Sequence, residues 1–355
     1  MIPVHTSREP SPAEQGLALG AIWRPRIERA LTSYTALFAA HGVGAEQARG
    51  WGERAIAETR AWAPALAEEM VGVAAGAGLE EWQLGALNGR TEILAAVGAT
   101  GEGECSTSVV LDGVAPRTVQ TWDWHDTFRH VMLLRAIGVG PGRAVCTFTE
   151  FGIVGKIGVN SSGLGVHFNV LRHGSDHADI GVPVHVVARR ILDEASTVDE
   201  AVALARSARL SASSVLTVVT RDEARCLELS PAGVAELTGT TLLHTNHFLD
   251  PALAPGERTL PEESTTIERL AVLGSRAGAL RSPGRDARAA ALRYHREDGA
   301  PLCAHADPSL PPHTRWESLA TITLDVVECR MDVHEGGPCR VTPDTWQSLS
   351  AKETA

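Results

Sequence analysis

The sequence predicts an α+β or layered α/β fold, and three observations carry that reading. The first hundred residues keep a helical period; the period changes to that of strands at Cys105; and a helix pair, further strands and further helices then follow. Segments 13–40, 45–62, 63–76 and 80–97 are rich in Ala, Leu and Glu with apolar residues at three- and four-residue spacing, which predicts helices. Trp51, Trp62 and Trp82 fall on them as expected core anchors. Short β-branched runs at 106–111, 117–124, 144–150, 156–160 and 164–171, separated by Gly- and Asn-containing turns, predict strands. Helices are expected over 182–195 and 198–207, the second with Thr197 and Glu200 as a capping box. Strands resume at 214–220, 225–229 and 233–244, and helices at 261–278 and 285–296. Residues 279–317 read as helix plus a long loop rich in Pro, Arg and His. The last strand material is 319–334, broken near Glu328, and the polar tail 346–355 is expected to fray.

Composition narrows the function. The chain has 355 residues, 44% hydrophobic and 21% charged, which supports a sizeable core and excludes a disordered chain. Its net charge of −11 argues against nucleic acid or an anionic membrane as the main partner. The six cysteines are scattered and never spaced C-x-x-C, so neither a disulfide framework nor a zinc ribbon is expected. The N-terminus lacks a signal pattern and no apolar run reaches 18 residues, so a cytoplasmic location is expected. His125 with Asp126 and His130, His173 with His177, and His244 with His247 invite a metal reading. No H-E-x-x-H pattern or cysteine partner accompanies them, so no metal and no cofactor is expected. The glycines at 138, 140, 142, 163 and 165 are not followed by the helix a phosphate cradle needs, and are read as turns.

The chemistry is read from Gly-Glu-Gly-Glu104-Cys105-Ser-Thr-Ser and Gln120-Thr121-Trp122-Asp123-Trp124. A strand that opens on a cysteine after a Gly- and Glu-containing loop can carry its own nucleophile. Were the Glu104–Cys105 bond cut, thiol and α-amine would sit on one residue, so nucleophile and base would come from the same amino acid. Asp123, at a strand end, could hold that amine. Asn246, in Leu-Leu-His-Thr-Asn-His, could donate to an oxyanion. Each has a plainer reading: Cys105 as a buried strand residue, Asp123 and Asn246 as turn formers, Arg315 as a surface ion pair, and Arg90 with Glu92 as a structural pair.

The ordered blocks Asn88-Gly-Arg90-Thr91-Glu92, Gly103-Glu-Cys105-Ser-Thr, Trp122-Asp123-Trp124 and Thr245-Asn246-His247 resemble the C45 peptidases, the group of acyl-CoA:isopenicillin N acyltransferase. The resemblance runs from about residue 80 to the last strand. It implies a four-layer αββα N-terminal-nucleophile sandwich, made as a precursor that cuts itself at Glu104–Cys105. Residues 1–104 would be the small chain and 105–355 the large one, of about 11 and about 27 kDa, staying associated in one domain. It implies Cys105 as nucleophile, Asp123 as the residue holding the amine, Asn246 in the oxyanion hole and a late arginine, for which Arg315 is the positional candidate. Thr121, Trp122 and Trp124 would contact substrate; Thr121 stands where the family usually has Asn, and Glu104 where it often has Gly. The substrate class is then a small-molecule amide or an acyl-CoA-type thioester, with the acyl group passed to water or an amine. The alternative is an uncleaved, catalytically silent relative that binds a small molecule. A third possibility, a Cys-His hydrolase, would need His125 or His247 as its base.

Overall fold

A computed structural model describes residues 1–99, 105–259 and 264–355. Four of its first five helices are α1 (Pro12–Ala40), α2 (Ala45–Trp62), α3 (Pro64–Ala77) and α4 (Glu81–Asn88), and Gly89 separates α4 from α5 (Arg90–Ala96). The break divides the single helix expected over 80–97. α1 and α3 pack backbone to backbone because glycines face each other: a Cβ on Gly16 would meet the Glu69 carbonyl oxygen at 2.1 Å, and one on Gly72 the Ala13 oxygen at 2.3 Å. This Gly-x-x-x-Gly pairing (Gly16 and Gly20 on α1, Gly72 and Gly76 on α3) was not read from the sequence. Trp62 and Trp82 lie at the edge of the core rather than inside it, with the Arg190 and Arg49 guanidinium groups over their rings at 4.4 and 4.9 Å.

Among the described residues, fourteen strands form two sheets. Sheet A holds β1 (Val4–Ser7), β4 (Met132–Gly140), β5 (Arg143–Glu150), β6 (Ile157–Asn160), β7 (Gly165–Val170), β8 (Ser214–Val219), β9 (Ala224–Ser230) and β10 (Gly233–Thr238), side by side in that order. Sheet B runs β11 (Thr241–His244), β2 (Ser106–Val110), β3 (Arg117–His125), β12 (Trp316–Asp325), β13 (Arg330–Glu335) and β14 (Trp346–Ser350). Neighbours are antiparallel except β1 and β4.

Alternation along the strands separates four layers. Arg135 of β4 reaches Glu69 of α3, and Phe168 of β7 meets His185 of α6 (Val184–Glu194), so these helices cover one face of sheet A. The opposite face meets sheet B, through Phe148 against Trp122 and Asn169 against Thr107. Val110 and Val119 on the far face of sheet B form a separate small core with Leu273, Leu280, Leu292 and Leu302. Those leucines come from α8 (Thr266–Ser275), α9 (Ala277–Leu280) and the segment at and beyond α10 (Arg285–Ala291). The layering is the αββα sandwich expected. α7 (Val198–Ser207) carries the expected capping box, Glu200 N–H donating to Thr197 Oγ1 at 3.2 Å.

Three strand expectations are corrected. β1 and β4 were not anticipated; β4 is buried along most of its length, so it lacks the alternation that marks a half-exposed strand. The expected strand 233–244 is two strands in different sheets, divided by Gly239 at φ +155°. The tail does not fray: Trp346–Ser350 pairs with β13.

Gly72→Ala should force α1 and α3 apart and lower unfolding free energy by about 1–3 kcal/mol in urea titration, as overpacking does.

Candidate active site

Cys105 is 2% exposed and lies immediately before β2, next to β3 in the register that pairs Ser106 with Thr121. Its backbone is held at both ends. The N–H donates to Asn246 Oδ1 at 2.9 Å; the carbonyl accepts from Arg269 at 2.8 Å and from Asn169 Nδ2 at 3.1 Å. Arg269, fully buried on α8, also donates to Asn246 Oδ1 at 2.9 Å and to Ser106 Oγ at 2.9 Å. Asn246 follows β11 and Asn169 sits on β7, so both sheets converge on one residue. One Asn246 amide hydrogen goes to the Val170 carbonyl at 2.9 Å. The second has no acceptor among the described residues.

Burial pushes the Cys105 thiol up to about 12, and the nearby Asp123 carboxylate pushes the same way; a hydrogen bond from the Asp123 backbone and the charges of Arg269 and Lys156 act against them. With a peptide bond on its nitrogen the cysteine is therefore a neutral thiol at pH 7. Asp123 is buried on the face of β3 opposite Trp122 and Trp124, across from Ser318 of β12. Thr121 shares the Asp123 face, so the three residues expected to contact substrate do not form one surface. Trp122 and Trp124 stack at 6.3 Å within the inter-sheet core, with Phe148 against Trp122 at 5.1 Å.

Behind these tryptophans lies a buried charged cluster that sequence reasoning missed. Glu150 at the end of β5 accepts from Arg90 at 2.9 Å, from Lys156 and from Tyr34. The Lys156 ammonium lies 4.1 Å from the Trp122 ring centre and the Arg90 guanidinium 4.3 Å from that of Trp124. Burial lowers Lys156 to about 7, which the Glu150 charge opposes. Arg90 does not pair with Glu92, as had been expected. Glu92 accepts the Val184 N–H at 2.8 Å at the start of α6, and burial raises it to about 7. Only a three-dimensional contact links Arg90 to a carboxylate sixty residues away.

Arg315 pairs with Asp126 at 3.2 Å, the ion pair of its plainer reading, and the arginine bonded to the Cys105 carbonyl is Arg269. The local signal for Arg269 was a lone Arg on an amphipathic segment, facing the same way as Leu273. Glu104 lies outside the described residues. His247 hydrogen-bonds the Thr245 and Thr266 hydroxyls, His244 meets Glu228 at 2.8 Å, and His125 packs on Trp316 at 4.2 Å. The histidine groups singled out from the sequence do not converge as ligand sets; the convergence is elsewhere, at His295, Cys303, His305 and Cys339.

A cavity of about 450 Å³ opens beside the site. Trp124, Val170, Leu171 and Leu94 give it apolar walls, and Arg172 and Arg258 stand on its lining. Val170 connects it to Asn246, since the two are hydrogen-bonded. No helix among the described residues is long and apolar enough to cross a membrane.

Residues 117–289, just under half of the chain, match the family described as acyl-coenzyme A:6-aminopenicillanic acid acyl-transferase, a stretch that includes Asp123, Asn246 and Arg269. The chain is 28% identical over 254 residues to the acyl-coenzyme A:6-aminopenicillanic-acid-acyltransferase 40 kDa form of Emericella nidulans, covering 69% of this chain and 70% of that protein. Among solved structures it is similar to penicillin V acylase from Agrobacterium tumefaciens (14% identity, 69% of this chain and 86% of that chain, TM-score 0.39). It is also similar to the Caenorhabditis elegans N-acylethanolamine-hydrolyzing acid amidase orthologue (10% identity, 68% and 95%, TM-score 0.44). The family model and the Emericella nidulans relative support acyl-transfer chemistry.

Glu150 sets a pH dependence. Its carboxyl is held down to about 2 by Arg90, Lys156 and Tyr34, against the desolvation that would raise it. A depressed carboxylate adds stability above its ordinary value of 4.5, and that stability drains as pH falls from there toward 2. Glu150→Gln should cost about 3–5 kcal/mol at pH 7, because it strands two buried cations, and should flatten stability between pH 4.5 and 2 in denaturant titrations at each pH.

Proposed function

We propose that the protein is a self-processing cysteine N-terminal-nucleophile enzyme that takes an acyl group from a small-molecule amide or thioester onto Cys105 and passes it to water or an amine. The observation that carries this reading is the 2.9 Å hydrogen bond from the Cys105 nitrogen to Asn246, beside the buried thiol. The atom that would become the general base is already seated.

Processing would begin with the Cys105 thiol attacking the Glu104 carbonyl carbon. The thiol proton passes to the departing nitrogen as the C–N bond breaks, leaving a thioester. Water then hydrolyses the thioester, releases residues 1–104 and regenerates the thiol, now beside a free α-amine. Such an amine has a pKa near 7.7–8.0, so it is neutral often enough near pH 7 to accept a thiol proton. That step is closed to the buried thiol of the uncut chain, which lacks the amine.

In turnover the amine takes the thiol proton and sulfur attacks the substrate carbonyl. Asn246's second amide hydrogen meets the oxyanion. The amine returns the proton to the leaving group, and water or an acceptor amine resolves the thioester by the same path in reverse. Asp123 would orient the α-amine. Arg269 fixes the Cys105 carbonyl and so the direction of the residue. The apolar walls and two arginines of the cavity suit an acyl chain attached to a carboxylate or phosphate group. The large and small chains would stay together, and a cytoplasmic setting suits a free-thiol nucleophile.

Intact mass with N-terminal sequencing should give two fragments for the wild type, of about 11 and about 27 kDa, the second beginning at Cys105, and a single chain for Cys105→Ala. An uncut wild type would instead indicate the silent binding relative. Asn246→Ala in the processed protein should cost about 10²–10³ in kcat against p-nitroanilide, β-alanyl-amide or acyl-CoA substrates, with a smaller change in KM.

A further inference from the structure

Two His and two Cys side chains that the acyl-transfer chemistry does not use converge on one point. His295 follows α10, Cys303 and His305 lie on the loop leading to β12, and Cys339 sits in the turn Pro338–Arg340 after β13. One ligand atom from each lies within 4.8 Å of all the others. Cys303 Sγ is 3.7 Å and Cys339 Sγ 3.5 Å from His305 Nε2. A tetrahedral zinc with Zn–S of about 2.3 Å and Zn–N of about 2.0–2.1 Å puts its ligand atoms about 3.3–3.8 Å apart, so these spacings need little adjustment.

The surroundings fit as well. His295 Nε2 is buried without a hydrogen-bond partner. The other ring nitrogen lies 3.8 and 3.9 Å from the Glu297 and Asp298 carboxylates, beyond hydrogen-bond distance but close enough for their charge to favour a cation at the site. A Cβ on Gly337 would come within 2.7 Å of Cys303 Sγ, so glycine keeps the space beside that sulfur open. His305 is exposed, which gives an ion a way in.

We propose that these four residues form a structural zinc site that clamps the loop between α10 and β12 onto the end of β13. Four protein ligands leave no open position, so the ion's part is to hold the chain. Binding forms two Zn–S and two Zn–N bonds and releases two thiol protons to solvent, with no change of oxidation state. The consequence reaches the active site. Ala304, between two of the ligands, is hydrogen-bonded through both its N–H and its carbonyl to Ser318, the register partner of Asp123 on the next strand.

The test is metal analysis of the full, untagged chain grown with zinc and purified without chelator. About one zinc per chain is expected, falling below about a tenth in Cys303→Ser/Cys339→Ser, with a lowered Tm that added zinc no longer raises. In case the double variant does not fold, wild-type chain stripped with a chelator and titrated with Co(II) should develop the intense visible bands of tetrahedral thiolate coordination, displaced by zinc. Substoichiometric zinc without such bands overturns the proposal. So does an intact mass two hydrogens light in a fragment pattern that links Cys303 to Cys339, since a disulfide would then use both thiols.

Discussion

The site depends on how the peptide groups of Cys105 are held. An N–H and a C=O at the start of an inner strand would be left unpaired, because β2 begins only at the next residue. Asn246 takes the first; Arg269 and Asn169 take the second. The arginine contacts are charge-assisted and shielded from water, where one such bond contributes more than a neutral pair. They also give a fully buried guanidinium the acceptors it needs. Position therefore comes from hydrogen bonds to the main chain, which no substitution at residue 105 other than proline removes. Serine or alanine there would keep the same backbone contacts and change only the side chain beyond Cβ.

The second constraint is the charge beneath Trp122 and Trp124. Glu150 is shared by two cations and a phenol, and neither the carboxylate nor either cation could be buried alone without several kcal/mol of desolvation penalty. The cations also sit over the tryptophan faces, which adds cation–π attraction in a dry site. The aromatic rings are thus held from behind by the two cations. This accounts for the burial of residues expected to touch substrate: Trp124 reaches the cavity, whereas Trp122 serves the packing.

Much of this was legible in the sequence, and what was not shares a physical cause. Helices with continuous periodicity, such as Ala45–Trp62 and Val198–Ser207, match their expected bounds, since a half-buried helix writes its exposed face into the chain. β4 escaped because a strand buried on both faces carries no alternation, and β14 because its partly exposed side chains resemble a polar tail. Among site residues, Cys105, Asp123 and Asn246 stand in ordered local blocks. Arg269, Glu150 and Lys156 have no local mark; each gains meaning only from partners far along the chain. The same holds for His295 and Cys339, 44 positions apart in the numbering and joined only by the fold.

Whether a cut before Cys105 could leave one working protein is a question of what ties the first hundred residues to the rest. β1 pairs with β4 inside sheet A, so the small chain would contribute a strand. Glu69 on α3 meets Arg135 at 2.6 Å and Arg189 at 3.1 Å, all three buried. Asn88 donates to the Gly152 carbonyl and accepts from Val154 N–H, and Glu92 caps α6. Arg90 completes the Glu150 cluster. These contacts are buried and polar, so separating the chains would expose unpaired charges on both sides, beyond the apolar area lost. Severing one peptide bond removes none of them. The helical segment also supplies the arginine that pairs with Glu150 and part of the wall of the cavity, so a cut before Cys105 would leave both contacts to hold the two pieces together.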